Sequence, residues 1–276
     1  MATIDDPLQW LRAPCVMGVL NATPDSFSDG GRHLAPADAL ARLAAIALEG
    51  AAICDVGAES TRPGAAPVAD GEQLRRLDPI LEAIAGGSPV PISIDTASAH
   101  VAAVALDVGA VLVNDITAGR GDSAMFATVA AHGAAICLMH MKGDPQTMQD
   151  APVYDDPVGE VCAFLEERLR RAVDAGIPEA HVVLDPGIGF GKRLSDNLAL
   201  LAHIDKVAAI GRPVVVGVSR KRMFEPLIGR PVQERLAGSL SAGLAAVRRG
   251  ADVLRVHDVR ETCDALNVLR AIEEAR

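Results

Sequence analysis

Aromatic residues are scarce: one Trp, one Tyr and five Phe in 276 residues, 3% of the chain. With hydrophobic residues at 50%, the core must be built from Ala, Val, Leu and Ile. No apolar run approaches the roughly 20 residues of a membrane span. The first six residues carry neither the basic stretch nor the apolar stretch of a secretory signal. The five cysteines (15, 54, 137, 162 and 263) show no CxxC spacing. Cys15, Cys54 and Cys137 lie inside apolar runs and read as small core hydrophobes. These absences predict a reduced, cytoplasmic setting. Basic residues are also in deficit, with a net charge of -10 and a pI of about 5.1. That argues against a general nucleic-acid or anionic-membrane surface but leaves room for a local basic pocket.

Several chemistries lack their residues. His33, His100, His132, His140, His181, His203 and His257 show no metal-ligand spacing. No Ser sits in a nucleophile elbow. The Gly-rich stretch at 185–192 does not have the order or the Lys-Ser/Thr ending of a Walker A loop.

What is present is a recurring pattern. Gly50, Gly109, Gly133 and Gly250 each close a helix-like stretch and precede a short apolar run. Each run ends in polar residues, such as Asn114-Asp115 or His257. Glycine supplies the left-handed conformation that stops a helix. Unbroken apolar runs suit parallel strands covered on both faces. Four further runs, at 15–20, 91–95, 181–185 and 213–217, bring the strands to eight. Between them the spacing predicts helices over 36–49, 72–85, 98–107, 123–132, 157–175, 195–210, 233–249 and 261–275, with Asp70 as a possible N-cap. Eight alternations predict one α/β domain over 1–276, a (β/α)8 TIM barrel of eight parallel strands. A doubly wound open sheet is the alternative.

Polar residues gather where strands end: Asn21, Asp55, Asp95, Asn114, Asp115, His140, Asp185, Ser219 to Lys221, Arg255 and His257. In a barrel that face carries the active site. Asp95, Asn114 and Asp185 suit a flat, amide-rich heterocycle, since a carboxylate takes two parallel N–H bonds and Asn both donates and accepts. Each would also serve as a helix cap. The cations at 220–222 and at Arg255, with His257, suit an anionic group such as phosphate, or an ion-pair network with Asp258 and Glu261. Phe190 reads either as a stacking wall or as packing. Met139, Met141 and Met148 read as packing. The stretch at 21–31 is a polar loop ending in a Gly pair, on a strand base at Asn21.

Taken in order, 21–31, 59–64, 94–96, 113–115, 138–141, 185–192, 218–221 and 255–257 resemble dihydropteroate synthase, the folate-pathway enzyme, over nearly the whole chain. The resemblance implies a transferase that joins 4-aminobenzoate to a pterin diphosphate. It implies Asp95, Asn114, Asp185, Lys221 and Arg255 at the pterin. Asn21, Thr61, Arg62, Arg255 and His257 would serve the diphosphate, with Asn21 placing Mg2+. Thr61, Pro63, Phe190, Lys221 and Arg222 would border the aminobenzoate. Asp29, Lys221 and Arg255 would act in catalysis, Asp29 supporting a developing pterin cation. The family also implies a homodimer through the late helices. Arg222 stands where relatives often have Ser, and Ala22 where Val is commoner. Two rivals share the heterocycle set: a pterin-dependent methyltransferase barrel, and a non-catalytic pterin-binding paralogue. Methyl transfer releases no diphosphate, so the anion residues argue against the first. Retention of Asn21, Lys221 and Arg255 argues against the second.

Overall fold

The computed structural model describes residues 6–22, 36–60, 66–144, 147–148, 150 and 152–275. Eight strands form one parallel sheet: β1 Cys15–Asn21, β2 Ile53–Gly57, β3 Ile92–Asp95, β4 Leu112–Asp115, β5 Ala135–Met139, β6 Val182–Asp185, β7 Val215–Val216 and β8 Val253–Val256. Their order runs β6-β5-β4-β3-β2-β1-β8-β7. A parallel bridge from Leu184 to Val214 joins the two ends and closes the barrel. The open-sheet alternative is thereby excluded. The helices are α1 Pro36–Leu48, α2 Asp70–Ala85, α3 Ala99–Asp107, α4 Met125–His132, α5 Pro157–Asp174, α6 Leu194–Ala202, α7 Ile204–Ala208, α8 Glu225–Ile228, α9 Leu236–Val247 and α10 Val259–Glu274.

The glycine punctuation is visible in the backbone. Gly133 closes α4 with φ 64°, and Gly50, Gly109 and Gly250 also take positive φ. Three details differ from the sequence expectation. Asp70 is the first residue of α2 and not its N-cap; its carboxylate accepts from Ser98 Oγ at 2.9 Å. Ser98 in turn caps α3, accepting from the Val101 N–H. The helix expected over 195–210 breaks into α6 and α7 at His203, whose backbone (φ -128°, ψ 36°) leaves the helical region. The run at 213–217 keeps only two ladder residues, Val215 and Val216; the Val214 N–H donates to the Asp252 carboxylate at 2.8 Å.

Strand alternation sorts the side chains into two apolar bodies. Val16, Cys54, Val56, Ile92, Ile94 and Val113 point outward under the helices. Met17, Ile53, Leu112, Ala135, Cys137, Val183, Val215 and Val253 fill the barrel, joined by Trp10 from the segment ahead of β1. The next position on the same side lies two residues along the strand. From Ile53, Leu112, Val183 and Val253 that step reaches Asp55, Asn114, Asp185 and Arg255. Sheet register thus lays a polar layer directly on an apolar plug.

Ile53 is fully buried in that plug. Ile53→Ala is expected to cost about 2–5 kcal/mol of stability, from lost transfer energy and the cavity left behind. Urea unfolding measures it.

Candidate active site

Asp95, Asn114, Asp185, Phe190, Lys221 and Arg255 line one cavity at the C-terminal mouth of the barrel. Ile116, Met139 and Ile188 give it apolar walls. Met141 and Met148 pack behind, in one cluster with Ile116, Met139 and Phe190. A flat ligand here meets apolar surface on its faces and polar groups at its edges, the usual build of a heterocycle site.

None of the three candidate cap residues caps a helix. Arg255 bridges two carboxylates: Nε donates to Asp55 Oδ2 at 2.6 Å and Nη2 to Asp95 Oδ2 at 2.7 Å. Asp55 Oδ2 also accepts from Asn114 Nδ2 at 2.9 Å, and its Oδ1 from Ser93 Oγ at 2.5 Å. Asp185 Oδ1 accepts from the Gly187 N–H at 2.7 Å, which turns the chain. Burial pushes the Asp95 and Asp185 carboxyls above the ordinary range; Arg255 opposes this at Asp95, as do the Gly187 N–H and Lys221 at Asp185. Burial disfavours the Arg255 cation, but Asp55 and Asp95 outweigh it and hold the guanidinium above its usual pKa. Lys221 is lowered to about 8, chiefly by desolvation.

The loop after β6 is tied down from below. Lys192 is buried and donates to the Gly187 carbonyl at 2.8 Å and the Phe190 carbonyl at 3.0 Å. Its Nζ also lies 2.9 Å from His140 Nδ1. Gly187 has φ 67°, and a Cβ there would lie 1.9 Å from the His140 carbonyl oxygen. Only glycine lets the loop pass this close to the end of β5. Tyr154 donates to the Gly191 carbonyl at 2.7 Å. The result is a fixed Phe190 ring, with Lys221 Nζ 4.2 Å from its centroid, within cation–π range. Desolvation lowers Lys192 to about 7 and, with Lys192 and Arg120 adding to it, holds His140 well below its ordinary value.

The cations expected on the anion side divide. Arg220 is paired with Asp258, with Nε 3.0 Å from Oδ2, so the ion-pair alternative describes this residue. His257 is lowered to about 4 by burial and by Arg255 and Arg220, so it is neutral at pH 7 and not a cation. Ser219 Oγ accepts from the His257 N–H and lies 3.2 Å from Nδ1. A hydroxyl donating to Nδ1 leaves the proton on Nε2, which makes the ring an N–H donor to an anion. Arg255 Nη1 has no protein partner among the described residues. Arg222 is exposed at the start of a 3-10 turn, outside the cavity lining. Asn21 is half-buried at the end of β1 and also outside the lining. Asp29, Thr61, Arg62 and Pro63 lie outside the described residues. Among the described residues no group of three or more His, Cys, Asp or Glu is placed to hold a metal. An amide oxygen from Asn21 alone still suits Mg2+, which commonly keeps waters and substrate phosphates in its shell.

Two residues with structural hold on the cavity were not among the expected site residues. Asp55 stood only in the set of strand-end polar residues. Its signal is a charge inside a five-residue strand that is buried throughout, since a buried charge requires partners. Lys192 closes the Gly-rich run, where position alone does not separate a staple from a solvated lysine.

Residues 17–257 match the family model for pterin binding enzyme. The Escherichia coli (strain K12) dihydropteroate synthase is 46% identical over 266 residues, covering 96% of this chain and 94% of that protein. Among solved structures, Xanthomonas albilineans dihydropteroate synthase with 4-aminobenzoic acid superposes with a TM-score of 0.89 at 45% identity, covering 95% of this chain and 94% of the other. The same enzyme in complex with 7,8-dihydropteroate gives 0.85 at 42% identity, with 95% of both chains covered. The apolar plug, the charged layer above it and these likenesses across nearly the whole length lead to one conclusion: the chain belongs to the pterin binding enzyme family, and within it to the dihydropteroate synthases.

Proposed function

We propose that this cavity joins 4-aminobenzoate to 6-hydroxymethyl-7,8-dihydropterin diphosphate, giving 7,8-dihydropteroate and diphosphate for folate biosynthesis. The observation that carries the reading is the grouping of acceptors Asp95, Asn114 and Asp185 with donors Lys221 and Arg255 in one apolar-walled cavity. A pterin presents amino and ring N–H groups beside a ring carbonyl. The Asp185 carboxylate matches the amino edge with parallel hydrogen bonds, and Lys221 matches an acceptor on the ring. The 4-aminobenzoic acid and 7,8-dihydropteroate bound by the Xanthomonas albilineans synthase support this reading.

In the reaction the bond between the pterin methylene carbon and the diphosphate oxygen breaks. The aromatic amine nitrogen bonds to that carbon and gives up a proton. The amine is a neutral nucleophile, so no activated Ser or Cys is needed. Arg255 Nη1 and the His257 Nε2–H meet the charge of the departing diphosphate, a role the family resemblance extends to Thr61 and Arg62. Mg2+, held through Asn21, supplies further charge neutralisation when bound. Asp29 supports the pterin cation as it develops. Phe190, Lys221, Thr61 and Pro63 border the aminobenzoate, and Arg222 contributes charge towards its carboxylate.

We also propose a homodimer. An apolar groove of about 320 Å3 runs between Leu198, Leu201, Met223, Phe224, Leu227 and Ala242. Leu227, Ile228 and Val232 stand exposed nearby, at 47%, 41% and 42%. A second copy of the same face covers this surface. The absence of any described helix long and apolar enough to cross a membrane, and five free cysteines, fit a cytoplasmic enzyme.

Purified protein with both substrates and Mg2+ is expected to form dihydropteroate; tight pterin binding without product would overturn the enzyme reading. Asp185→Asn should weaken pterin binding by about 1.5–3 kcal/mol, the worth of a charged hydrogen bond, read by calorimetry. Lys221 must be protonated to donate. Pterin affinity should therefore hold below its pKa of about 8 and fall as pH rises through it, approaching tenfold per unit. Lys221→Arg should remove that fall. Leu227→Arg should yield monomers by sedimentation equilibrium if the groove is the dimer face.

A further inference from the structure

Asp55 does not line the cavity, yet it holds two groups that do. Its side chain is fully buried, and its strand position is level with Ser93. All its hydrogen bonds are received: from Ser93 Oγ at 2.5 Å, Asn114 Nδ2 at 2.9 Å and Arg255 Nε at 2.6 Å. An ionised carboxylate only accepts. The partner it takes from Asn114 must therefore be the amide NH2 group. The two ends of an amide are alike in shape, and turning this one would set oxygen against oxygen. With Nδ2 committed, Asn114 Oδ1 is the end left for the cavity that Asn114 lines. Arg255 is fixed by the same atom. Its Nε is on Asp55 and its Nη2 on Asp95, so its plane has little freedom.

We propose that Asp55 is a positioning residue that sets the donor–acceptor polarity of the pterin site, holding Asn114 with its carbonyl oxygen forward and Arg255 in a fixed plane. The site then selects a heterocycle that offers an N–H group to residue 114. A ligand that offers a bare ring nitrogen there meets two acceptors facing each other. The inference rests on the reading of the cavity as a pterin site. Its energetic basis is the cost of leaving a buried polar group turned the wrong way, which exceeds the worth of the same bond at a surface.

The Lys192–His140 pair belongs to the support of the Phe190 loop already described. The apolar groove near Leu227 belongs to the dimer proposal. Asp55 is different because it fixes which chemical edge is read.

The test is a double-mutant cycle on the full chain, with 6-hydroxymethyl-7,8-dihydropterin diphosphate as the probe, read by calorimetry and steady-state kinetics. Asp55→Asn is nearly isosteric and replaces a charged group that only accepts with a neutral one that also donates, which weakens the hold on both neighbours. It is expected to weaken pterin binding about tenfold or more and to raise the pterin KM, leaving the 4-aminobenzoate KM within about twofold. Because Asp55 acts through Asn114, the double variant Asp55→Asn/Asn114→Ala should lose clearly less than the product of the two single losses. A purely structural role would lower the melting temperature and the active fraction, with both KM values unmoved. Losses that multiply independently, or an unchanged pterin affinity in Asp55→Asn, would overturn the proposal. If Asp55→Asn does not fold, Ser93→Ala loosens the same carboxylate from the side away from the cavity. It should weaken pterin binding about two- to fivefold, and no change would equally overturn the proposal. Failure of the wild-type protein to bind the pterin at all would instead remove the reading of the cavity on which the proposal stands.

Discussion

The pairing of Asp55 and Asp95 through Arg255 is the interaction on which the rest of the site depends. Both carboxylates are buried inside a barrel whose lower half is hydrocarbon. Charges so placed are costly unless matched, and breaking one partner leaves the other stranded. The match comes from strand register. Arg255 lies two residues above Val253 in β8, and Asp55 two above Ile53 in β2. Both therefore face inward at the height where the hydrocarbon plug ends. Asp185, Lys221 and Lys192 extend the same layer, each influencing the titration of another.

That layer explains why the cavity is rigid where it reads a ligand and simple where it performs chemistry. Asp95, Asn114, Asp185 and Arg255 sit on strands, and each is held by a neighbour. The Phe190 wall is held by Lys192 and by the close pass of Gly187 over the His140 carbonyl. The reaction itself asks little of the protein beyond placement. A neutral amine attacks a carbon whose leaving group departs with its charge, so cations and N–H donors at the mouth are the main requirement. His257 shows how burial shapes that supply: the fold keeps it neutral, so it serves as a directed donor and Arg255 carries the charge.

Much of this was legible in the chain. Four glycines at the ends of helices and eight apolar runs give the alternation of the barrel. The position of Asp95, Asn114, Asp185 and Arg255 at strand ends gives the face. Other features depend on distances between residues far apart in sequence. Arg220 looks like a free cation until Asp258, 38 residues later, is found beside it. Asp55 looks like a strand-end polar residue among others until Arg255, 200 residues later, closes on it. The neutrality of His257 depends on what surrounds it, and periodicity is silent on that. The break at His203 and the two-residue β7 also escape pattern reading, since Ala- and Leu-rich spacing continues through the first and apolar residues continue through the second.

The central claim is that this buried charged layer reads a pterin by its edges. The most direct measurement is a crystal structure of the protein with 6-hydroxymethyl-7,8-dihydropterin diphosphate bound. The account predicts the ring face against the Met139–Ile116 wall, a ring acceptor within hydrogen-bonding distance of Lys221, and the amino edge within hydrogen-bonding distance of the Asp185 carboxylate. Asn114 Nδ2 should remain on Asp55, and the diphosphate should lie towards Arg255 and His257. A ring bound outside this cavity, or one with its amino edge turned to Lys221 and Arg255, would contradict it.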